Sequence, residues 1–281
     1  MKKKVLLMSP AMFILFAFAI VPLFIMLYYS FMSDGAVAKF TLDNYINFFS
    51  KGFYLKLTWK TIKMSIVVTL ICIVIAYPMA YIMAKVINKG KNLLLLLIII
   101  PFWTSQLVRA YSWLVFLRDG GVLAQFLNKI GLITTTDMGI LFTSKAAIIA
   151  LVHIFFPYMV ITIYMSLEKL DNSIIDASKS LGAKPIETFR RVILPLSSPG
   201  IITGAILVFV PCLGSFVEPR ILGGVNGSVI GTVIEDQFFE IYGWNFGAAI
   251  AFILLAMVLL SMGGMSLLLN TEKTRSKSPA S

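Results

Sequence analysis

The chain has 281 residues, of which 59% are hydrophobic and 13% charged, with a formal net charge of +11 and a mean hydropathy of +0.91. Soluble domains are about 45–50% apolar and about 25% charged, so this balance excludes an ordinary soluble domain and describes an integral membrane protein. The positive charge gathers in particular loops, which makes it a statement about membrane topology and leaves little for a nucleic-acid reading to explain.

Six apolar runs approach or exceed the roughly 20 residues that a helix needs to cross a bilayer. They cover 5–32, 61–84, 93–117, 146–167, 200–222 and 246–269. The runs are continuous and not alternating, so they predict helices, which satisfy every backbone polar group within the segment. Nearly all of the basic excess falls on the N-terminus, the second and fourth loops and the tail, including Lys2, Lys3, Lys4, Lys85, Lys89, Lys91, Arg190, Arg191 and Lys277. Short basic loops stay on the cytoplasmic side, so both termini of this multi-pass membrane protein are expected in the cytoplasm. The predicted fold is a single all-α transmembrane domain over 1–281 with six spans.

The first run follows three lysines, and Ala36-Val37-Ala38 offers a small-x-small site, as in a signal peptide. The apolar stretch far exceeds an h-region of about 7–15 residues, so it is expected to be a retained span. In the outer loop, Phe40 to Phe49 has helical spacing with Thr41 as N-cap. Span two carries Pro78, and Lys85 to Lys91 make a short basic turn. Cys72 and Cys212 fall within spans and read as small packing residues.

Span three is interrupted by Pro101, followed by Trp103, Thr104, Ser105, Gln106, Arg109, Tyr111 and Trp113. A proline break inside a membrane is tolerated against protein or a water-lined cavity. The polar cluster therefore predicts a cavity, an aromatic belt, or both. Between 118 and 145, Val122, Leu123, Phe126, Leu127 and Ile130 mark an amphipathic surface helix. Span four holds His153, readable as a functional group or as an interhelical hydrogen bond.

The fourth loop, 168–199, is too polar to cross a membrane and too regular to be a linker. Ser173 with Asp176 predicts a capping-box start. Gly182 fits a left-handed helix end. Pro185 restarts a helix whose face carries Ile186, Phe189, Val192 and Ile193. Such a helix-glycine-helix unit is either a lever joined to the next span or an interfacial connector with Arg190 and Arg191 near lipid.

Span five is expected to begin at Ser198-Pro199 and is interrupted by Pro211, Gly214 and Pro219. At its outer end Phe216, Glu218 and Arg220 face water or each other. The loop beyond carries Glu235, Asp236 and Glu240 among aromatics, which suits a cationic ligand, a basic partner or solvent.

No G-x-x-x-x-G-K-[ST] loop is present, and one histidine cannot build a His-based metal cluster. The chain reads as a transport component without an ATPase site, a bound cofactor or a metal of its own.

Asp176-Ala177-Ser178, Gly182 and Ile193-Leu194-Pro195 resemble the EAA loop of bacterial ABC importer permeases, with Asp for Glu and Ser for Ala. Phe40 to Tyr45, Pro101 to Thr104, Glu168 to Asp171 and Pro199 to Ile202 extend the resemblance to the B-type permease of spermidine/putrescine importers. The resemblance implies a MetI-like fold whose cytoplasmic loop couples to an ATPase through Asp176, Ala177, Ser178, Leu181, Gly182, Ala183 and Pro185. It also implies a second homologous permease, two ATPase copies that hold ATP and Mg, and an extracytoplasmic polyamine-binding protein. Trp103, Tyr111, Phe216 and Glu218 are the expected pathway residues, because aromatic faces and carboxylates attract ammonium groups. The same permease for another solute and an ion-coupled secondary transporter are the alternatives.

Overall fold

The computed structural model describes residues 10, 12–33 and 39–275. Lys2 to Lys4, Ala36-Val37-Ala38 and Lys277 lie outside these residues. The described residues form helices joined by turns and loops, with one isolated antiparallel bridge between Met32 and Phe40. Helix α1 is Met12–Ser30, α2 is Asp43–Ser50, and α3 is Gly52–Val86. A tight turn leads into α4, Lys91–Ile99, which ends in a 3₁₀ turn over Ile100–Trp103. Then come α5 (Gln106–Leu117), α6 (Val122–Lys129), α7 (Ser144–Glu168) and α8 (Asn172–Ser180). The chain closes with α9 (Pro185–Gly214), α10 (Ile230–Phe239) and α11 (Trp244–Arg275).

Five helices (α1, α3, α7, α9 and α11) are long and apolar enough to span a bilayer; the pair 91–103 and 106–129, bent by 94°, makes the sixth span when counted as one. The all-helical, six-span architecture is therefore present, with different edges. Helix α3 starts at Gly52, not at 61, because Lys56 and Lys60 end the apolar run without ending the helix. Its N-terminal part is fixed by Lys60, whose Nζ donates to the Asn226 carbonyl at 2.6 Å.

Span five differs more. Ser198-Pro199 is not its start, because α9 already begins at Pro185 and runs through Pro195 and Pro199. A proline ring clashes with the carbonyl four residues back and leaves it without a donor. One wide π turn, Phe189–Ile193, precedes Pro195, and the Pro195 carbonyl is taken by Ser198 Oγ at 2.6 Å. The helix then stops at Gly214. Ser215 is extended, and a second wide turn occupies Pro219–Gly223.

The core is the α3–α7–α9 bundle. Cys72, Ala76, Leu151, Met159, Ile163, Val208 and Cys212 are buried there, and both cysteines are free thiols. Helices α7 and α9 approach closely at Gly200, where a Cβ would stand 2.4 Å from Ser166 Cβ and 2.7 Å from the Thr162 carbonyl. Small residues at such crossings let membrane helices pack. Helix α1 lies outside the core against α11, tied at its end by the Asn44 amide, which donates to the Ser30 and Met32 carbonyls.

Candidate functional site: an exposed lever and a buried carboxylate

The polar segment folds as helix, glycine, helix. The expected capping box is replaced by a simpler start: Asp171 is the N-cap, and its Oδ1 accepts from the Ser173 N–H at 2.9 Å. That backbone hydrogen bond holds the Asp171 carboxyl below its ordinary value. Ser173 and Asp176 are both inside the first turns, and Asp176 pairs instead with Lys179 at 3.3 Å.

The helix ends at Gly182, with φ +83. The Gly182 N–H donates to Lys179 O (2.9 Å) and the Ala183 N–H to Ser178 O (3.2 Å), the double closure of a Schellman motif. Pro185 opens α9, and Glu187 Oε2 accepts from the Lys184 N–H at 3.1 Å. The tip between the two helices is bare. Leu181 is 88% exposed and Ile186 62%, and Asp176, Ala177, Gly182 and Pro185 are also exposed. Ser178 and Ala183 are half-buried, and Ser178 Oγ lies 3.0 Å from Thr188 Oγ1.

The inner side of this unit is fastened to α3. Lys85 Nζ donates to the Leu170 carbonyl at 2.6 Å and to Asn172 Oδ1 at 2.8 Å. Phe189 sits edge-on to Tyr77, ring centres 5.6 Å apart, and Tyr77 Oη lies 2.8 Å from Ser197 Oγ. A displacement of α8 therefore bears directly on the bundle core. Lys85 and Tyr77 carry no local signal of this role, since their partners are far away in sequence.

The second feature lies where the two broken spans meet, with α5 packed against the Pro219–Gly223 turn. Glu218 is 0% exposed. Its Oε1 accepts from Gln106 Nε2 at 2.9 Å, while Oε2 is buried without a hydrogen-bond partner among the described residues. Glu218 and Arg220 do not face each other. Arg220 pairs with Glu235 (3.0 Å), with Asp236 and with Glu240 (3.6 Å). Residues two apart on a helical turn point in different directions, so Arg220 reaches α10 and Glu218 turns inward. The acidic residues of α10 and its C-terminal end are thus partly neutralised by Arg220.

The four expected pathway residues are not one cluster. Phe216 is 39% exposed beside Glu218, and Trp103 is 80% exposed on the 3₁₀ turn just before Gln106. Tyr111, 58% exposed, lines a separate apolar groove with Leu107, Val108 and Val115. Gln106 and Arg109 were visible in sequence only as part of the polar cluster near Pro101. His153 accepts from Trp113 Nε1 at 3.3 Å through Nδ1, the interhelical hydrogen bond that was one of its two readings.

The family described as "Binding-protein-dependent transport system inner membrane component" matches residues 76–271. Over 244 residues the chain is 41% identical to the spermidine/putrescine transport system permease protein PotB of Escherichia coli (strain K12), covering 85% of this chain and 88% of that one. PotB of Haemophilus influenzae is 39% identical over 238 residues, 83% of this chain and 82% of its own. In fold, the chain is similar to a chain of a bacterial alginate ABC transporter solved in complex with an alginate pentasaccharide-bound periplasmic protein. The TM-score is 0.77 at 17% identity, over 99% of this chain and 98% of that chain.

Proposed function

The chain belongs to the family of binding-protein-dependent transport system inner membrane components, and on that premise we propose that it is the permease through which an ATP-driven importer moves spermidine and putrescine into the cytoplasm. The observation that carries the substrate is the 41% identity to PotB of Escherichia coli over 85% of the chain.

In this reading α8 and the bare tip at Leu181 and Gly182 dock on a cytoplasmic ATPase, which holds ATP and Mg. Exposed apolar side chains on a polar unit favour contact with a partner. The contacts that Lys85 and Tyr77 of α3 make with the loop and with Phe189 pass the movement of α8 into the bundle. Both termini face the cytoplasm, consistent with the lysine-rich loops. A second homologous permease completes the pathway, and a polyamine-binding protein delivers substrate at the opposite face. This chain binds no cofactor and catalyses no reaction. Trp103, Phe216 and Glu218 serve the pathway, with Tyr111 on a separate wall. Among the described residues Glu218 is the one buried carboxylate, whereas an ion-coupled carrier would favour buried acids in pairs.

The test is uptake of labelled spermidine and putrescine by the complete complex in proteoliposomes. Uptake that needs ATP and the binding protein is expected. Uptake by this chain alone, without ATP, contradicts the reading.

A further inference from the structure

Glu218 has an unusual position for an acid. It is wholly removed from water, yet it has one hydrogen-bond donor and one free oxygen. A buried carboxylate kept for structure alone would be expected to satisfy both oxygens, since an unpaired buried polar atom is costly. The donor it does have, Gln106, is itself exposed. One movable side chain therefore separates Glu218 from the open face that carries Trp103.

One turn further along α5 lies Arg109, whose Nε is also buried without a partner. Its guanidinium rests over the Phe102 ring at 5.7 Å. Positions 106 and 109 share a helix face, so Arg109 and Gln106 look toward the same break. Two groups of opposite charge, each with one buried atom lacking a hydrogen-bond partner, thus flank the same break, and no ion pair joins them among the described residues. Both interrupted spans supply irregular backbone here, the arrangement by which membrane transporters build polar sites. Arg220 does not spoil the site for a cation, because three carboxylates hold it on the other side of the turn.

We propose that Glu218 is an ammonium-binding subsite of the pathway and that Arg109 is its exchange partner, closing on Glu218 as the substrate's ammonium leaves. The inference rests on the polyamine reading above. Gln106 is a positioning residue that holds Glu218 until either cation displaces it. The exchange compensates the carboxylate's charge as the ammonium leaves and prevents a polycation from resting there too tightly.

The experiment measures the maximal rate of labelled spermidine uptake by the complete complex with saturating binding protein. It compares the unsubstituted chain with Glu218→Gln, Arg109→Gln and the double variant, each purified with its partner subunits in normal ratio. Glu218→Gln is expected to lower the rate at least tenfold. Arg109→Gln is expected to lower it severalfold by slowing release, and the double variant to fall no further than Glu218→Gln. An unaltered rate in Glu218→Gln, or two losses that multiply in the double variant, overturns the proposal while leaving the polyamine reading in place. If Glu218→Gln does not assemble, Arg109→Gln decides alone, and an unaltered rate overturns the exchange. Absence of spermidine uptake by the unsubstituted complex overturns both.

Discussion

At Asp171 a single carboxylate starts the lever helix. Its hydrogen bond from the Ser173 N–H lowers its pKa from the ordinary 3.8, so the folded helix prefers the ionised form. The sign follows from linkage: the contribution is fully present above the ordinary value and is lost as pH falls through and below it. Hydrogen exchange at the Ser173 amide should therefore show protection lost faster toward acid than at neighbouring amides, once intrinsic rates are allowed for. Asp171→Ala should remove the protection at neutral pH, and Asp171→Asn should retain most of it, because Asn also caps. Equal protection in the unsubstituted chain and both variants would show that the cap contributes nothing. The spacing of Ser173 and Asp176 points to Ser173 as the cap, and Asp171 takes that place instead because the helix already begins at Asn172. The Glu218–Arg220 pairing fails for a different reason. Their spacing brings them close in the chain but aims them apart, while the partners that matter, Gln106 and Asp236, are supplied by other helices.

Among the elements, α9 is the one whose sequence is hardest to read. Pro185, Pro195 and Pro199 lie in its first half, which locally argues for a helix start at Pro199. The wide turn at Phe189–Ile193 and the Ser198 hydroxyl remove the penalty, and the helix continues from the lever into the core. That continuity rests on close contact with α7 at Gly200. Gly200→Val would drive its side chain into the Thr162 carbonyl and Ser166 Cβ. Overpacking of this kind costs about 1–3 kcal/mol, enough to shift a marginal bundle. Thermal unfolding of the purified complex should begin several degrees lower in Gly200→Val, with Gly200→Ala intermediate. An unchanged transition in both would mean that the helices can separate at this point without loss.

For the whole molecule, the membrane class, the six spans and the lever were legible from composition, run length and the glycine-proline punctuation of the fourth loop. Those features are local, and apolar length and turn chemistry decide them. The meeting of the two broken spans was not legible, because it joins Gln106 to a residue 112 positions away. The same holds for the fastening of the lever to α3 by Lys85, 85 positions from Leu170. Both contacts depend on how the helices pack, which periodicity in a single chain does not specify. Together they set out in order an exposed tip, a helix pair fastened to α3, a continuous helix α9, and a buried carboxylate just beyond its end. The most direct measurement is the ratio of spermidine imported to ATP hydrolysed by the complete complex carrying Gly182→Val. A β-branched residue at φ +83 is strained by about 1–2 kcal/mol and should reset the angle of the lever. A ratio that collapses in a normally assembled complex is the predicted result. A ratio equal to that of the unsubstituted complex would contradict transmission of force through this loop.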